Sequence, residues 1–442
     1  MSGLSSDSVT PVSGYVEGYY GRLLSWDDRT RILEVLADQG FNCYFYGPKD
    51  DTKHRIAWRN AYGADWRQAF RRFTQRAEQL GISVIAGIAP GLDFDFAAMN
   101  PEHGDLALLC SKSRQLLDDG AAAIGLMMDD IDNDFHKRRG NFSSEGEAHA
   151  ILANHLLALA GNQNPTQELP AVFCVPRIYA NELLAHNDLT MPAMSEQESE
   201  KPGSEVAESA DYMPSFTSSL DPNVSWIYCG KHVVSSQPEV SHCREIGAGM
   251  KHRIVIWDNY YANDYCPRRL FLGAWQGRNK CSELLLNGTG LPHTDCLLLR
   301  IVAALRSVNQ SADLSEIEAA SSVNDTWRNC LIEAGVPDDF FQLQSYFSHP
   351  VFSDASLDEA GTGDTANSTN TVEQQIEQEI AAIDSLLWRW KAALAREWYP
   401  YLFGLKQDLQ MASGTMPELR VRKTQTPALA DYLTKRRRPT EH

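Results

Sequence analysis

Eight short apolar segments, separated by stretches with helical character, dominate the first two thirds of the chain. They are unbroken apolar runs rather than alternating ones, which is typical of parallel strands buried on both faces. The predicted strands are residues 14–18, 42–47, 82–91, 122–130, 170–176, 224–230, 252–259 and 282–288. Two intervening stretches, WDDRTRILEVLADQG and ADWRQAFRRFTQRAEQLG, each end in Gly, a common helix stop. Eight strand-then-helix units predict a (β/α)8 barrel of the TIM type, with its chemistry at the carboxyl ends of the strands.

A doubly wound sheet is the structural alternative to this barrel. That fold more often has a Gly-rich phosphate loop after its first strand, and no such loop is visible in the sequence.

After the eighth apolar segment the pattern becomes helical and ends in EQQIEQEIAAIDSLLWRWKAALAREWYPYLFGLKQDL. This amphipathic, aromatic-rich stretch predicts either a helix packed on the rest of the chain or a homodimer contact through the C-terminal helices.

Changes in composition along the chain predict its domain organisation. The stretches AMSEQESEKPGSEVAESAD and SDASLDEAGTGDTANSTNT are poor in bulky apolar residues and indicate flexible segments, and TKRRRPTEH lies in a basic tail. The predicted parts are a flexible N-terminus (1–13), a catalytic barrel (14–305) with a flexible acidic insertion (about 190–210), a helical C-terminal domain (306–415) with a disordered linker (about 354–371), and the tail (416–442).

Bulk composition excludes several classes of protein. A net charge of −18 argues against nucleic acid or an anionic membrane as a partner. The sequence contains no run of about 18 apolar residues, so it predicts no membrane span. The start, MSGLSSDSVTPVSGY, lacks the basic and apolar regions of a signal peptide. The 9 cysteines are scattered without a CxxC pair, so we expect reduced thiols and a cytoplasmic location, nucleocytoplasmic in a eukaryote.

Polar side chains gather where the apolar runs end, and the most acidic group follows the fourth. There AAAIGLMM leads directly into Asp129 and Asp130. The other polar residues at these ends are Glu17, Tyr19, Tyr20, Lys49, Asp50, Asp51, Asp95, Asp132, Tyr179, Asn259, Asp264 and Asn287. In a barrel all of these meet at one mouth, which predicts an active site there.

Metal binding is one explanation of the acidic group. An EF-hand is excluded, because Phe135 and Asn141 stand where that loop needs Gly and Glu. A magnesium or two-metal hydrolase stays open. The lysine and amide groups at the other strand ends suit sugar hydroxyls better than cations, so we predict no metal and no cofactor.

Glycoside hydrolysis is the other explanation. Cleavage needs one acid to protonate the leaving oxygen and a second group for the cationic sugar carbon, but neighbouring residues cannot easily flank the bond from opposite sides. A 2-acetamido sugar carries its own nucleophile, so one Asp can orient the amide while its neighbour is the acid. Repulsion between the two carboxylates is expected to keep one of them protonated near neutral pH.

The chain resembles the family-84 glycoside hydrolases, the β-N-acetylglucosaminidases known as O-GlcNAcases. The matching stretches, in family order, are VEGYYGR, YGPKDDTKHRIAWR, IAPGLDF, MMDDID and IWDNYYANDYCPRRLFLG. The resemblance implies hydrolysis of terminal β-linked N-acetylglucosamine (GlcNAc) with retention, through an oxazoline. It also implies a GlcNAc-bearing protein, peptide or glycoside as partner.

The resemblance further implies roles for individual residues. Asp129 would orient and polarise the acetamido group, and Asp130 would be general acid and then general base. The substrate-binding residues would be Gly18, Lys49, Asp264 and Asn287 at the hydroxyls, and Tyr179, Trp257 and Asn259 at the acetamido pocket, with Asn259 also holding Asp129. An endo-acting, hyaluronidase-type enzyme and a GlcNAc-binding protein without turnover are the alternatives.

Overall fold

The structure, a computed structural model, describes residues 10–132, 134–161, 169–185, 205–235, 252–265, 270–275, 278, 281, 283–308, 316–348 and 369–412. The chain divides into two compact units. The first is Met1–Asn259 with Lys280–Gly290, and the second is Tyr260–Asn279 with Leu291–His442. Within the described ranges, no helix has the length and apolarity to cross a bilayer. The cytoplasmic location stays a prediction.

Eight parallel strands in the first unit close into a barrel. They are β1 (Ser13–Glu17), β2 (Cys43–Tyr46), β3 (Ser83–Ile88), β4 (Ala123–Met127), β5 (Val172–Val175), β6 (Ser225–Tyr228), β7 (Ile254–Asp258) and β8 (Leu284–Asn287). Each strand pairs with its neighbours in chain order, and β1 also pairs with β8. The predicted (β/α)8 barrel is therefore confirmed, with a strand overlapping every predicted apolar segment.

Helices of the first unit connect these strands. They are α1 (Trp26–Asp38), α2 (Ala64–Gln79), α3 (Gly104–Asp118), α4 (Glu145–Ala160), α5 (Glu182–Ala185) and α6 (Glu205–Ser219). The Ser25 side chain caps α1 by accepting from the main-chain N–H of Asp28 at 3.1 Å. Gly40 and Gly81, just beyond α1 and α2, have φ of 73° and 70°. That left-handed conformation suits glycine, so the predicted glycine stops are confirmed.

The second unit contains α7 (Pro292–Val308), α8 (Glu316–Glu333), a 3₁₀ segment (Asp338–Tyr346), α9 (Thr369–Arg389) and α10 (Ala393–Ala412). Glu397 of α10 accepts from the first-turn main-chain N–H groups of His293 and Thr294, at 3.0 and 2.8 Å. Trp398 is fully buried and donates to the Thr294 hydroxyl at 2.9 Å. These contacts tie α7 to the C-terminal helices, although the predicted domain 14–305 would include nearly all of it.

Most of the segments predicted to be flexible lie outside the described residues. These are residues 1–9 of the N-terminus, 190–204 of the acidic insertion, 354–368 of the linker and all of the basic tail. Where such segments are described, they are ordered. Val12 is buried, α6 already begins at Glu205, and α9 begins at Thr369.

Candidate active site

Asp129 follows β4 and has two very different carboxylate oxygens. The residue is 6% exposed. Its Oδ2 accepts a hydrogen bond from the Lys49 ammonium, which the loop after β2 supplies. Its Oδ1 is buried and has no hydrogen-bond partner among the residues that the structure describes. A buried acceptor without a donor is costly, so this oxygen is a natural binding point for a ligand N–H group.

Asp130 is held by two phenol groups and remains partly open to solvent. The Tyr179 hydroxyl donates to its Oδ1 at 2.9 Å, and the Tyr20 hydroxyl donates to its Oδ2 at 3.0 Å. The Lys49 ammonium lies 3.6 Å from Oδ2, and 32% of the Asp130 side chain is exposed. Burial, followed by the adjacent Asp130 carboxylate, raises the pKa of both tyrosines, so they act as donors across the physiological range.

The protonation of Asp130 differs from the sequence expectation. Burial acts to raise its pKa, but Lys49, the Tyr179 and Tyr20 hydroxyls and Arg55 lower it, and the net pKa is below the ordinary value. In this ligand-free arrangement Asp130 is therefore not the acid that charge repulsion keeps protonated, and protonation of one member of the pair stays a prediction. The physical reason is that Lys49 and Arg55, both from the loop after β2, and the two tyrosine hydroxyls outweigh the effect of burial.

A second group of predicted site residues forms a hydrogen-bonded chain across β7, β8 and β1. Asn259 Oδ1 accepts from the Trp257 indole N–H at 2.8 Å and from Asn287 Nδ2 at 2.9 Å. Asn287 Oδ1 in turn accepts from the main-chain N–H of Gly18 at 3.2 Å. A Cβ at Gly18 would lie only 2.2 Å from the Trp257 ring, so this position requires glycine for the indole to approach.

Asn259 also connects this chain to the residues around Asp130. Its Nδ2 donates to Val233 O at 2.9 Å and to Cys229 Sγ at 3.6 Å. The Cys229 main-chain N–H donates to Tyr179 O at 2.7 Å, and Tyr179 is the residue that holds Asp130. The resemblance implied that Asn259 holds Asp129. In this structure the Lys49 ammonium bonds Asp129 instead.

Other polar residues at the strand ends stabilise the barrel rather than the acid pair. Glu17 is fully buried, binds Arg29 of α1 through two 2.8 Å hydrogen bonds, and accepts from the Tyr44 hydroxyl at 2.8 Å. Asp51 accepts from the Tyr62 hydroxyl at 2.9 Å. Position at a strand end is therefore not sufficient for a place in the site.

Two further predicted site residues, Asp95 and Asp264, accept hydrogen bonds from nearby main-chain N–H groups. Asp95 caps a short 3₁₀ turn by accepting from the Ala97 main-chain N–H at 2.8 Å. Asp264 belongs to the second unit, where it accepts from the Tyr265 main-chain N–H at 3.1 Å, and its role at a sugar hydroxyl stays a prediction. Across the described part of the chain, no group of three His, Cys, Asp or Glu side chains is arranged to hold a metal ion.

Sequence reasoning missed the contributions of Arg55 and His54. Arg55 Nη2 donates to the main-chain carbonyl of Asp130 at 2.5 Å. His54 Nδ1 lies 2.9 Å from Gly87 O, and burial lowers the His54 pKa to about 3, so this imidazole is neutral and donates to β3. Both residues lie within YGPKDDTKHRIAWR, but the spacing within that stretch does not reveal a contact with a residue on another strand.

Comparison with known proteins identifies the family of the chain. The sequence model of the beta-N-acetylglucosaminidase family matches residues 13–289, a region that contains every barrel strand and both acids. The chain belongs to this family of glycoside hydrolases. The resemblance to O-GlcNAcases is thereby confirmed at the level of the family.

Two curated relatives of this β-N-acetylglucosaminidase family member carry the name Protein O-GlcNAcase. The proteins of Rattus norvegicus and Mus musculus are each 30% identical over 267 residues, which cover 60% of this chain and 26% of theirs. The match thus spans about a quarter of those relatives. A mutant O-GlcNAc hydrolase of Thermobaculum terrenum superposes with a TM-score of 0.68 at 20% identity, covering 94% of this chain and 86% of that one. This structural likeness confirms the fold.

Proposed function

We propose that the chain is a retaining exo-β-N-acetylglucosaminidase that removes terminal β-linked GlcNAc, including O-GlcNAc on Ser or Thr of proteins and peptides. The observation that carries the proposal is the contrast between the two adjacent acids. Asp129 is buried and presents one oxygen without a partner among the described residues, whereas Asp130 is partly exposed and held at both oxygens. One acid is suited to hold a ligand, and the other is suited to exchange a proton.

The first step uses the substrate's own amide as nucleophile. Asp129 Oδ1 accepts the acetamido N–H, which turns the amide carbonyl oxygen toward the anomeric carbon and makes that oxygen more nucleophilic. The new C–O bond forms as the glycosidic C–O bond breaks, and the leaving oxygen takes a proton from Asp130. Asp129 takes the N–H proton as the ring closes and returns it when the ring opens, so the products are a neutral oxazoline and the released alcohol.

In the second step Asp130 changes from general acid to general base, and water displaces the amide oxygen from the anomeric carbon. A water molecule attacks the anomeric carbon, gives its proton to the Asp130 carboxylate, and breaks the oxazoline C–O bond. The acetamido group re-forms and GlcNAc leaves with its β configuration retained. Asp130 is protonated again, so the cycle closes without a metal or an organic cofactor.

The first step requires a protonated Asp130, although the pKa of this residue is lowered in the ligand-free site. A neutral sugar covers the exposed third of the side chain and removes its water, which strengthens the effect of burial and raises the pKa. Asp130 therefore takes up its proton as substrate binds. The Tyr20 and Tyr179 hydroxyls keep the carboxyl oriented in both states.

The proposed function is tested with two substrates side by side in the presence of a metal chelator. We expect hydrolysis of both a GlcNAc-serine peptide and an aryl β-GlcNAc glycoside, with β-GlcNAc as the first sugar product seen by proton NMR. A chelator-sensitive rate, or α-GlcNAc as first product, would contradict the mechanism. Digestion of a GlcNAc-containing polymer separates the alternatives: internal fragments would indicate endo action, and binding without turnover would indicate a binding protein.

We further propose that the C-terminal helices pair two copies of the chain. Trp388 on α9 is 71% exposed, and Tyr399 and Phe403 on α10 are exposed with their rings stacked 6.0 Å apart. Large apolar side chains on exposed helix faces are typical of protein contacts. We expect a dimeric mass by light scattering and a monomeric mass for Tyr399→Glu with Phe403→Glu. Leu108→Glu, at an exposed side chain of α3, is the matched control, and a monomeric wild type would refute the proposal.

A further inference from the structure

One guanidinium in the loop after β2 binds the main chain of the proposed acid rather than its side chain. Arg55 Nη2 donates to the Asp130 carbonyl at 2.5 Å, and Arg55 is 8% exposed. The same loop carries Lys49, which bonds the Asp129 carboxylate. A single loop therefore supplies both cations, with Lys49 at the two carboxylates and Arg55 at the Asp130 main chain.

The backbone of Asp130 has an unusual conformation that this bond stabilises. Its φ is 53°, and no other non-glycine residue in the described ranges has a positive φ. Asp130 lies beyond the end of β4 at Met127, and its left-handed conformation is incompatible with continued extended backbone. The Asp130 carboxyl consequently faces the hydroxyls of Tyr20 and Tyr179. A charge-assisted hydrogen bond to the carbonyl of the same residue favours this conformation over an extended one.

The partners of Arg55 differ from those of a purely structural arginine. Its Nη1 is buried and has no hydrogen-bond partner among the described residues. Arg59, four residues later, binds Asp105 through two nitrogens and also reaches both the carboxylate and the main-chain carbonyl of Asp93. The buried Arg55 guanidinium makes a single described bond, and that bond goes to the acid.

We propose that Arg55 is a positioning residue, which holds Asp130 in its left-handed conformation and thereby aims the carboxyl at the leaving oxygen of the substrate. This inference rests on the proposed function, in which Asp130 is the acid. Arg55 has a second effect through its charge. Burial raises the pKa of Asp130, whereas Lys49, Tyr179, Tyr20 and Arg55 lower it. The charged groups that face Asp130 are thus Lys49, Arg55 and Asp129, together with the two tyrosine hydroxyls.

The test compares Arg55→Met and Arg55→Lys with wild type on two aryl β-GlcNAc glycosides, one with a dinitrophenyl and one with a methoxyphenyl leaving group. With Arg55→Met we expect kcat for the methoxyphenyl substrate to fall about 10- to 100-fold, because a misaimed acid no longer reaches the leaving oxygen. The dinitrophenyl substrate needs little acid help, so its loss should be smaller, with KM almost unchanged for both.

The pH profile adds a readout that a purely structural role would not move. The rate falls as pH rises through the pKa of the acid, and kcat/KM reports this pKa in the free enzyme. Removing the Arg55 charge raises that pKa, so Arg55→Met should move the basic limb of kcat/KM to higher pH. Arg55→Lys keeps the charge, so the basic limb of its kcat/KM profile should stay near the wild-type position. Its kcat for the methoxyphenyl substrate should still fall more than its kcat for the dinitrophenyl substrate.

Arg59→Met is the matched control, because Arg59 also donates to a main-chain carbonyl, that of Asp93 at 2.8 Å. We expect Arg59→Met to leave the ratio of kcat values for the two substrates unchanged. Equal losses on both substrates, or no loss, would overturn the proposal. If circular dichroism shows that Arg55→Met is unfolded, the ratio of kcat values on the two glycosides is measured for Arg55→Lys instead. A wild type inactive on every aryl β-GlcNAc glycoside would refute the proposed function itself.

Discussion

Asp130→Ala is expected to reduce hydrolysis of an aryl β-GlcNAc glycoside with a poor leaving group by roughly 10²–10⁴-fold, the usual contribution of a general acid. The same variant should retain much more activity on a dinitrophenyl glycoside, because a good leaving group departs without a proton. Asp130 is suited to this role because its carboxyl is held by Tyr20 and Tyr179 and is 32% exposed toward an incoming substrate. The measurement is kcat/KM against the pKa of the leaving phenol.

A steeper dependence of kcat/KM on the leaving group than in wild type would support the role of Asp130. Asp132→Ala is the matched control, since Asp132 lies in the same acidic run and is exposed. It should keep the wild-type dependence. A uniform loss across all leaving groups in Asp130→Ala would show that this side chain does not protonate the leaving oxygen.

Asp129→Asn is expected to reduce turnover about 10²–10³-fold on every substrate, the scale seen when one stabilising group is removed from a transition state. An Asn side chain must place its NH2 group either at the acetamido N–H or at the Lys49 ammonium, and both of these are donors that need an acceptor. Because attack by the substrate amide is part of the bond-breaking step whatever the leaving group, good leaving groups should not rescue this variant. The two acids are thus distinguished by opposite leaving-group behaviour.

The Asp129 prediction is measured on the same series of aryl glycosides. A loss confined to poor leaving groups would give Asp129 the role assigned here to Asp130. Thermal unfolding must accompany the kinetics, because Asp129 is buried against Lys49 and its replacement leaves an ammonium without its carboxylate. A folded variant with wild-type rates would remove Asp129 from the mechanism.

The barrel could be predicted from the sequence because parallel strands buried on both faces need unbroken apolar runs. Predicted and observed strands agree in order and number, but every observed strand except β1 is shorter than predicted. β4 ends at Met127, whereas the apolar pattern extended the strand to residue 130. The difference arises because the last residues leave the ladder to form the site, and the left-handed Asp130 is incompatible with a continuing strand.

The site was only partly predictable, because its contacts cross between strands. Lys49 and Asp129 are 80 residues apart, and Arg55 and Asp130 are 75 residues apart. Sequence position placed the adjacent acids and Lys49 at the same mouth, but it did not show that Lys49 and Arg55 contact the acids, so it did not predict the lowered pKa of Asp130. Glu17 was placed at the mouth by its position, whereas its pairing with Arg29 keeps it in the barrel wall.

In the proposed mechanism the acetamido oxygen of the substrate is the nucleophile. This role is tested by kcat/KM for aryl glycosides whose N-acetyl methyl group carries none, one, two or three fluorine atoms. Each fluorine withdraws electrons from the amide oxygen, so we expect kcat/KM to fall progressively along the series. Equal kcat/KM values throughout would contradict it, since they would show that a group other than this amide attacks the sugar.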